Sequence, residues 1–243
     1  MTTANTSSDI CSTPPSLGAR LNAIADLVAS APEPYSHIWD CCCDHGYLGI
    51  HLIRQQLCGK VIFVDQVPHL IEELKPRLCE FASEHYDAIA GDAGQLRIDS
   101  QHRNLVIIAG VGGECMVDIL SRLEVNNSLA QLDFIFCPTT SQYDLREYLA
   151  NREFGLLYES LVTEKGRDYE LIYAQGSCRS SSQPQVSLTG QLWDRKNALH
   201  SRHLKKLITH YQRCTRGEKA PRAQVILDEY LACWKRMSDI SST

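Results

Sequence analysis

The sequence predicts an α/β fold: a parallel sheet with helices on both faces, closed by an antiparallel hairpin and followed by a helical pair. Three observations predict it. Short apolar runs recur at 37–41, 60–65, 86–90, 104–109 and 133–137, each of strand length. Helical stretches separate most of them, near 46–57, 67–83, 112–124 and 141–151, and such alternation buries strands on both faces of a parallel sheet. After the fifth run, 154–163 and 169–174 flank a turn at Lys165-Gly166, the pattern of a β-hairpin.

Taken in order, residues 1–15 are polar and rich in Ser, Thr and Pro, a composition expected to be disordered. From Leu17 a helix begins, with Leu21, Ile24, Leu27 and Val28 on one face, Ser16 as the expected N-cap, and Pro32 and Pro34 beyond its end. The five strand–helix units and the hairpin make one domain over 16–175. A polar linker is expected at 176–189, then helices near 190–214 and 221–236, separated by Gly217, with Pro221 in the first turn of the second. The two helices are expected to pack on each other as a hairpin within 190–243.

Composition narrows the function. Of 243 residues 44% are hydrophobic, enough for a sizeable core. There is no run of 18 apolar residues and no early apolar stretch with basic flanks, so neither a membrane span nor a signal peptide is expected. The 11 cysteines are scattered and form no CxxC pair, which favours a reducing cytoplasm over a disulfide framework or a zinc site. Cys41-Cys42-Cys43 is read as small residues at a buried strand end. No metal and no membrane partner are expected, and a monomer is slightly favoured. The net charge of −5 is uneven: 191–236 holds 11 Lys and Arg against 4 Asp and Glu, the remainder 13 against 25. A basic segment on an acidic body points to a polyanionic partner or to an ordinary solvated helical surface.

The chemistry is expected at the strand tips, where open α/β sheets bind ligands. The first strand runs into Asp40-Cys41-Cys42-Cys43-Asp44-His45-Gly46-Tyr47. A nicotinamide dinucleotide fingerprint needs three glycines there; only Gly46 is present, which disfavours an oxidoreductase. Asp40 and Asp44 are instead suited to a cationic amino group, with Asp44 equally open as a helix N-cap. Asp65 and Gln66 end the second strand, where an acid can accept from ribose hydroxyls. Gly91-Asp92-Ala93 follows the third, with Asp92 placed for an adenine amino group. The fourth strand ends in Ala109-Gly110-Val111-Gly112-Gly113, a loop for close backbone approach or a tight turn. These features together suit S-adenosylmethionine (SAM), which has no pyrophosphate to cradle.

At these residues the chain resembles the bacterial tRNA (adenine(22)-N1)-methyltransferases. The matching pieces are Leu17-Gly18-Ala19-Arg20-Leu21, the Asp40 to Leu48 stretch, Gly91-Asp92, Ile108 to Gly113, Cys137-Pro138 with Leu145-Arg146, and Tyr169-Glu170-Leu171. The resemblance covers about 16–175 and, by architecture alone, the helical tail. It implies a Rossmann-like class I methyltransferase sheet, SAM as cofactor and tRNA as partner. It also implies methyl transfer to an adenine N1, with Asp44, His45 and Tyr47 at the reacting base. Arg20, Pro138 and Thr139 would lie near substrate, and Arg195, Lys196, Arg202, Lys205 and Lys206 would grip the RNA backbone. Four positions depart from the family pattern: Cys42 stands for glycine, Gly46 for the usual alanine, Gly49 for proline and Thr139 for asparagine. Transfer to a small molecule or protein, or a non-catalytic SAM- or RNA-binding module, is the alternative.

Overall fold

The computed structural model describes residues 16–176, 183–217 and 220–239. The chain runs α1 (Ala19–Ala29), β1 (Tyr35–Cys41), α2 (Tyr47–Arg54), β2 (Cys58–Asp65), α3 (Pro68–Leu78), β3 (Tyr86–Ala90), β4 (Asn104–Ala109) and α4 (Gly113–Asn126). It continues through β5 (Leu132–Cys137), α5 (Gln142–Asn151), β6 (Gly155–Glu164), β7 (Arg167–Gln175), α6 (Ala198–Cys214) and α7 (Ala220–Asp239). The seven strands form one sheet in the order β3-β2-β1-β4-β5-β7-β6. β1 to β5 are parallel, while β7 runs antiparallel to both β5 and β6. This is the Rossmann-like arrangement, and its order reverses between β1 and β4, so a crevice opens at their carboxyl ends.

Two-residue periodicity divides the core. Leu105 and Ile107 of β4 face the layer built by α1, α2 and α3, with Ile24, Val28, Leu52, Ile71 and Leu74. Val106 and Ile108 face the opposite layer, with Met116, Leu120, Leu145 and Leu149 of α4 and α5. The β6–β7 turn places both Lys165 and Gly166 in the left-handed region, at φ 49° and 76°, as a two-residue hairpin loop requires.

Several boundaries differ from expectation for identifiable reasons. Ser16 does not cap α1; the N-cap is Gly18, with no side-chain cap. The Arg20 amide instead donates to Glu164 Oε1 at 3.2 Å, so a strand carboxylate satisfies the helix end. The expected linker is partly built into the sheet: Val186 is buried and its amide donates to Phe154, while Leu156 donates to Pro184. The expected helix from 190 starts only at Ala198. Asp194 Oδ1 accepts from the Lys196 amide, a local bond that competes with a helical turn, and Asn197 caps the helix, its Oδ1 accepting from the Leu199 amide. Residues 1–15, expected to be disordered, and 177–182 of the expected linker lie outside the described residues.

The two C-terminal helices pack on each other and on α5. Leu204, Leu207, Ile226 and Tyr230 share a core with Tyr143. Beneath this core Arg146, fully buried, donates to Glu170 Oε2 at 2.6 Å and Glu159 Oε2 at 2.7 Å. His203 of α6 lies 3.4 Å from Glu170 Oε1. The tail is therefore bonded into the sheet by a buried ionic group. Removing one partner of such a group costs about 3–5 kcal/mol, because the charge left behind cannot rehydrate.

Candidate functional site at the β1–β4 switch point

A cavity of about 400 Å³ opens at the switch point, within the roughly 300–1,000 Å³ range of small-molecule sites. Its wall combines Asp40, Cys42, Cys43, Asp44, His45 and Tyr47 from the β1–α2 segment with Asp65 and Gln66 after β2. Ala109, Gly110 and Val111 after β4 and Arg20 of α1 complete it. Three carboxylates thus line one small space.

Asp40 is buried, and its Oδ2 accepts from the Gly49 amide at 3.1 Å. Burial pushes its carboxyl up to about 7, the Gly49 bond opposes this, and the Asp65 charge adds to it. The Gly49 bond needs an N–H, which a proline at that position would lack. Asp65 takes amides on both oxygens, from Asp44 on Oδ2 and from Val67 on Oδ1, each at 3.0 Å. Asp65 therefore ties the β1 loop to the β2 loop as well as facing the cavity.

Asp44 is not the helix cap. The N-cap of α2 is Gly46, left-handed at φ 68°; Asp44 is itself left-handed at φ 50°, with its side chain exposed toward the cavity mouth and 3.5 Å from His45 Nε2. Cys42 is also left-handed, at φ 59°. That geometry explains why glycine suits this position. Burial raises the thiols of Cys41, Cys42 and Cys43, that of Cys42 to about 12, so they remain protonated and uncharged at neutral pH.

The structure separates some expected cofactor residues from the cavity wall. Asp92 Oδ1 accepts from the Gly94 amide at 2.9 Å and Oδ2 binds Arg122; it caps the short 3-10 turn that follows, with Gly91 and Ala93 on either side. Its charge still reaches the Cys42 thiol. Gly112 and Gly113 are held close to the next loop: a Cβ on Gly113 would lie 2.1 Å from the Ser141 carbonyl, and one on Gly112 2.8 Å from Thr140 Oγ1. Gly110 is required by its φ of 85° with open space around it. Pro138 is buried behind this loop and the Thr139 amide donates to the Val111 carbonyl at 2.9 Å. Both support the β4 loop from outside the cavity lining. Arg20 does line the cavity, with Nε 3.1 Å from Glu164 Oε2 and its guanidinium over Tyr169.

Sequence reasoning missed Glu164 and Arg77, which fix Arg20 and Tyr47 from distant elements with no local pattern to mark them; Tyr169 was marked by the resemblance, but its place under Arg20 was not. It also gave no sign of the carboxylate that two of the expected basic residues share. Arg202 and Lys206 bind Asp168 at 2.6 and 2.7 Å, and Asp168, although its side chain is only 1% exposed, is held well below the usual carboxylate range by these partners. Their charges dock α6 onto β7. Lys205 instead lies over the Trp234 ring, and Arg195 and Lys196 are exposed just before α6. Because β7 is antiparallel to β5, Asp168 and this basic surface lie at the same end of the sheet as the cavity.

A methyltransferase-domain family model matches residues 17–172, well over half the chain. The chain belongs to this methyltransferase-domain family. M. capricolum TrmK, solved with the cofactor product S-adenosyl-homocysteine, is 21% identical with a TM-score of 0.71, covering 91% of this chain and 98% of that one. The B. subtilis M1A22 tRNA methyltransferase TrmK is 17% identical with a TM-score of 0.66, covering 92% and 96%. Both share the fold of this methyltransferase along nearly its full length, helical tail included. A Mycoplasma pneumoniae protein provisionally named a tRNA methyltransferase is 28% identical over 166 residues, 68% of this chain and 73% of that protein. Within this methyltransferase, no group of three or more His, Cys, Asp or Glu side chains among the described residues is arranged to hold a metal. None of the described helices is long and apolar enough to cross a membrane.

Proposed function

We propose that this methyltransferase transfers the methyl group of SAM to N1 of an adenine in tRNA, with adenine 22, the position named for the B. subtilis relative, as the target. The observation that carries the reading is the acidic wall of the switch-point cavity. SAM carries a sulfonium and an ammonium, and the wall offers Asp40, Asp44 and Asp65 against one cation, Arg20, already paired with Glu164. The donor set fits the cofactor: carboxylates for cations and hydroxyls, and no glycine-rich pyrophosphate cradle.

When bound, SAM supplies an electrophilic methyl group. Asp40 and Asp65 would hold the cationic and hydroxyl groups, with the Ala109–Gly110 segment beside them. Adenine N1 has an in-plane lone pair that is unprotonated at neutral pH, so attack requires no general base. The chain's main task is alignment at about 3–3.5 Å. Asp44 faces the incoming base and favours the positive charge that arrives on it. N1 lies on the Watson–Crick edge, so the base reacts unpaired or flipped out, with Tyr47 and His45 at the mouth as its stacking surface.

The basic side of the tail would hold the RNA backbone through Arg195, Lys196 and Lys205. Such contacts position without reading sequence. Arg202 and Lys206, though bound to Asp168, are half exposed and add to the field. A tRNA substrate would be met in the cytoplasm. To test the reading, labelled SAM is offered with unmodified tRNA and, separately, with small-metabolite and protein pools. Label in the tRNA fraction supports it; label confined to either other pool overturns it.

A further inference from the structure

Tyr47 begins α2 at the cavity mouth and is 37% exposed. One face of its ring is covered. The Arg77 guanidinium lies 4.9 Å from the ring centroid and donates to the His45 carbonyl. Arg77 is in the last turn of α3, where the helix dipole favours a cation. A carbonyl and a ring hold this guanidinium, and among the described residues no carboxylate pairs with it, so it brings a net positive charge to the back of Tyr47. The ring also lines the cavity, beside the His45 ring at 5.7 Å between centroids, and a base entering the cavity would stack on that side.

Methyl transfer to adenine N1 changes the charge of what stacks there. The N1 lone pair forms the new N–C bond, the S–C bond breaks with its electrons going to sulfur, and the positive charge passes from sulfonium to base. The base is neutral before transfer and cationic after it. An aromatic face ordinarily attracts a cation through its quadrupole. With a guanidinium already on the opposite face, 4.9 Å from the centroid, that attraction is weakened, and two like charges oppose each other through the ring.

We infer that Arg77 is a positioning residue that makes Tyr47 favour the unmethylated base over the methylated one, and so speeds release of methylated RNA. The inference rests on the reading that an adenine is methylated at N1. It gives Arg77 a role in turnover; the carboxylates of the cofactor cavity act earlier, in binding.

The test uses full-length protein loaded with S-adenosylhomocysteine and two RNAs that differ only in adenine or 1-methyladenine at the mapped target. Arg77→Gln is expected to raise affinity for the methylated RNA, relative to the unmethylated one, by roughly 3- to 10-fold. Steady-state turnover should fall while the single-turnover rate is kept. Arg77→Lys, which retains the charge, should keep the wild-type ratio. In a Tyr47→Leu background, Arg77→Gln should leave the ratio unchanged, because the ring that transmits the effect is gone. Equal changes for both RNAs would assign Arg77 to phosphate binding or loop support and overturn the inference, as would an unaltered ratio in Arg77→Gln. Failure of the functional reading looks different: the wild-type enzyme would then place no 1-methyladenine in RNA at all.

Discussion

Replacing Asp40 with Asn removes a titratable group from the cofactor cavity at nearly constant shape. Burial holds the Asp40 carboxyl near 7 in the free protein, against an ordinary value of about 3.9. The free protein at pH 6 therefore has about one-tenth of Asp40 ionised, and at pH 8 about nine-tenths. A cationic ligand binds the ionised form, so wild-type affinity for SAM should be about tenfold weaker at pH 6 than at pH 8. The neighbouring thiols of Cys41, Cys42 and Cys43 stay neutral across this window and do not contribute. In Asp40→Asn the affinity at pH 8 should drop roughly 10- to 100-fold, the usual cost of a lost charged hydrogen bond, and its pH dependence should flatten. The same shift governs stability. A raised folded-state value means the unfolded chain loses its proton first, so ligand-free stability falls as pH rises from about 4 to about 7. The assay is isothermal titration with SAM at pH 6, 7 and 8. A wild-type affinity that is flat over that range, or an Asp40→Asn profile as steep as wild type, would refute the assignment of Asp40 to the cation.

Other outcomes follow from the same geometry. Cys42→Gly relieves a left-handed side chain at φ 59° and should stabilise the protein by about 1 kcal/mol, seen as a higher thermal midpoint; a lower midpoint would mean that thiol packing outweighs the backbone. Glu170 is held down to about 2 by Arg146 and His203 despite its burial. The stability it contributes is present above about pH 4.5 and lost as pH falls toward 2; tail fluorescence, dominated by Trp193 and Trp234, should report that loss, and Glu170→Gln should abolish its pH dependence. Deleting the tail would expose Tyr143 and the core around it, so charge reversal is the better probe of RNA binding. Lys196→Glu with Lys205→Glu should raise the Michaelis constant for tRNA and leave SAM affinity unchanged. The salt slope of RNA binding should fall by roughly 0.9 for each phosphate no longer neutralised. An unchanged slope would remove those lysines from the interface.

The parallel sheet was legible because β2, β4 and β5 are apolar on both faces over most of their length and its turns carry Gly, Asp and Pro at the strand tips. The order of those tips also brought Asp40, Asp44, Asp65 and Gly110 to one cavity, as expected. What was not legible depends on partners far away in sequence. Ser16 has the chemistry of a cap, but Glu164 reaches the helix end first. Asp44 also looks like a cap, yet a left-handed loop turns its side chain outward. Arg202 and Lys206 are indistinguishable by composition from Lys196 until Asp168 is seen between them. Gly112 and Gly113 resemble a ligand loop, and the close approach of the 140–141 backbone and side chain, which also favours glycine there, has no mark in the sequence. Arg146 and Glu170 stood out as family residues, and their reason is a buried ion pair that anchors the tail.

The decisive experiment is mass-spectrometric identification of the nucleoside formed when purified protein, SAM and an unmodified tRNA transcript are incubated together. The expected product is 1-methyladenosine at a single position, absent from a transcript with 1-deazaadenine there. Methyl on a different base or atom, or transfer that survives loss of the N1 lone pair, would contradict it.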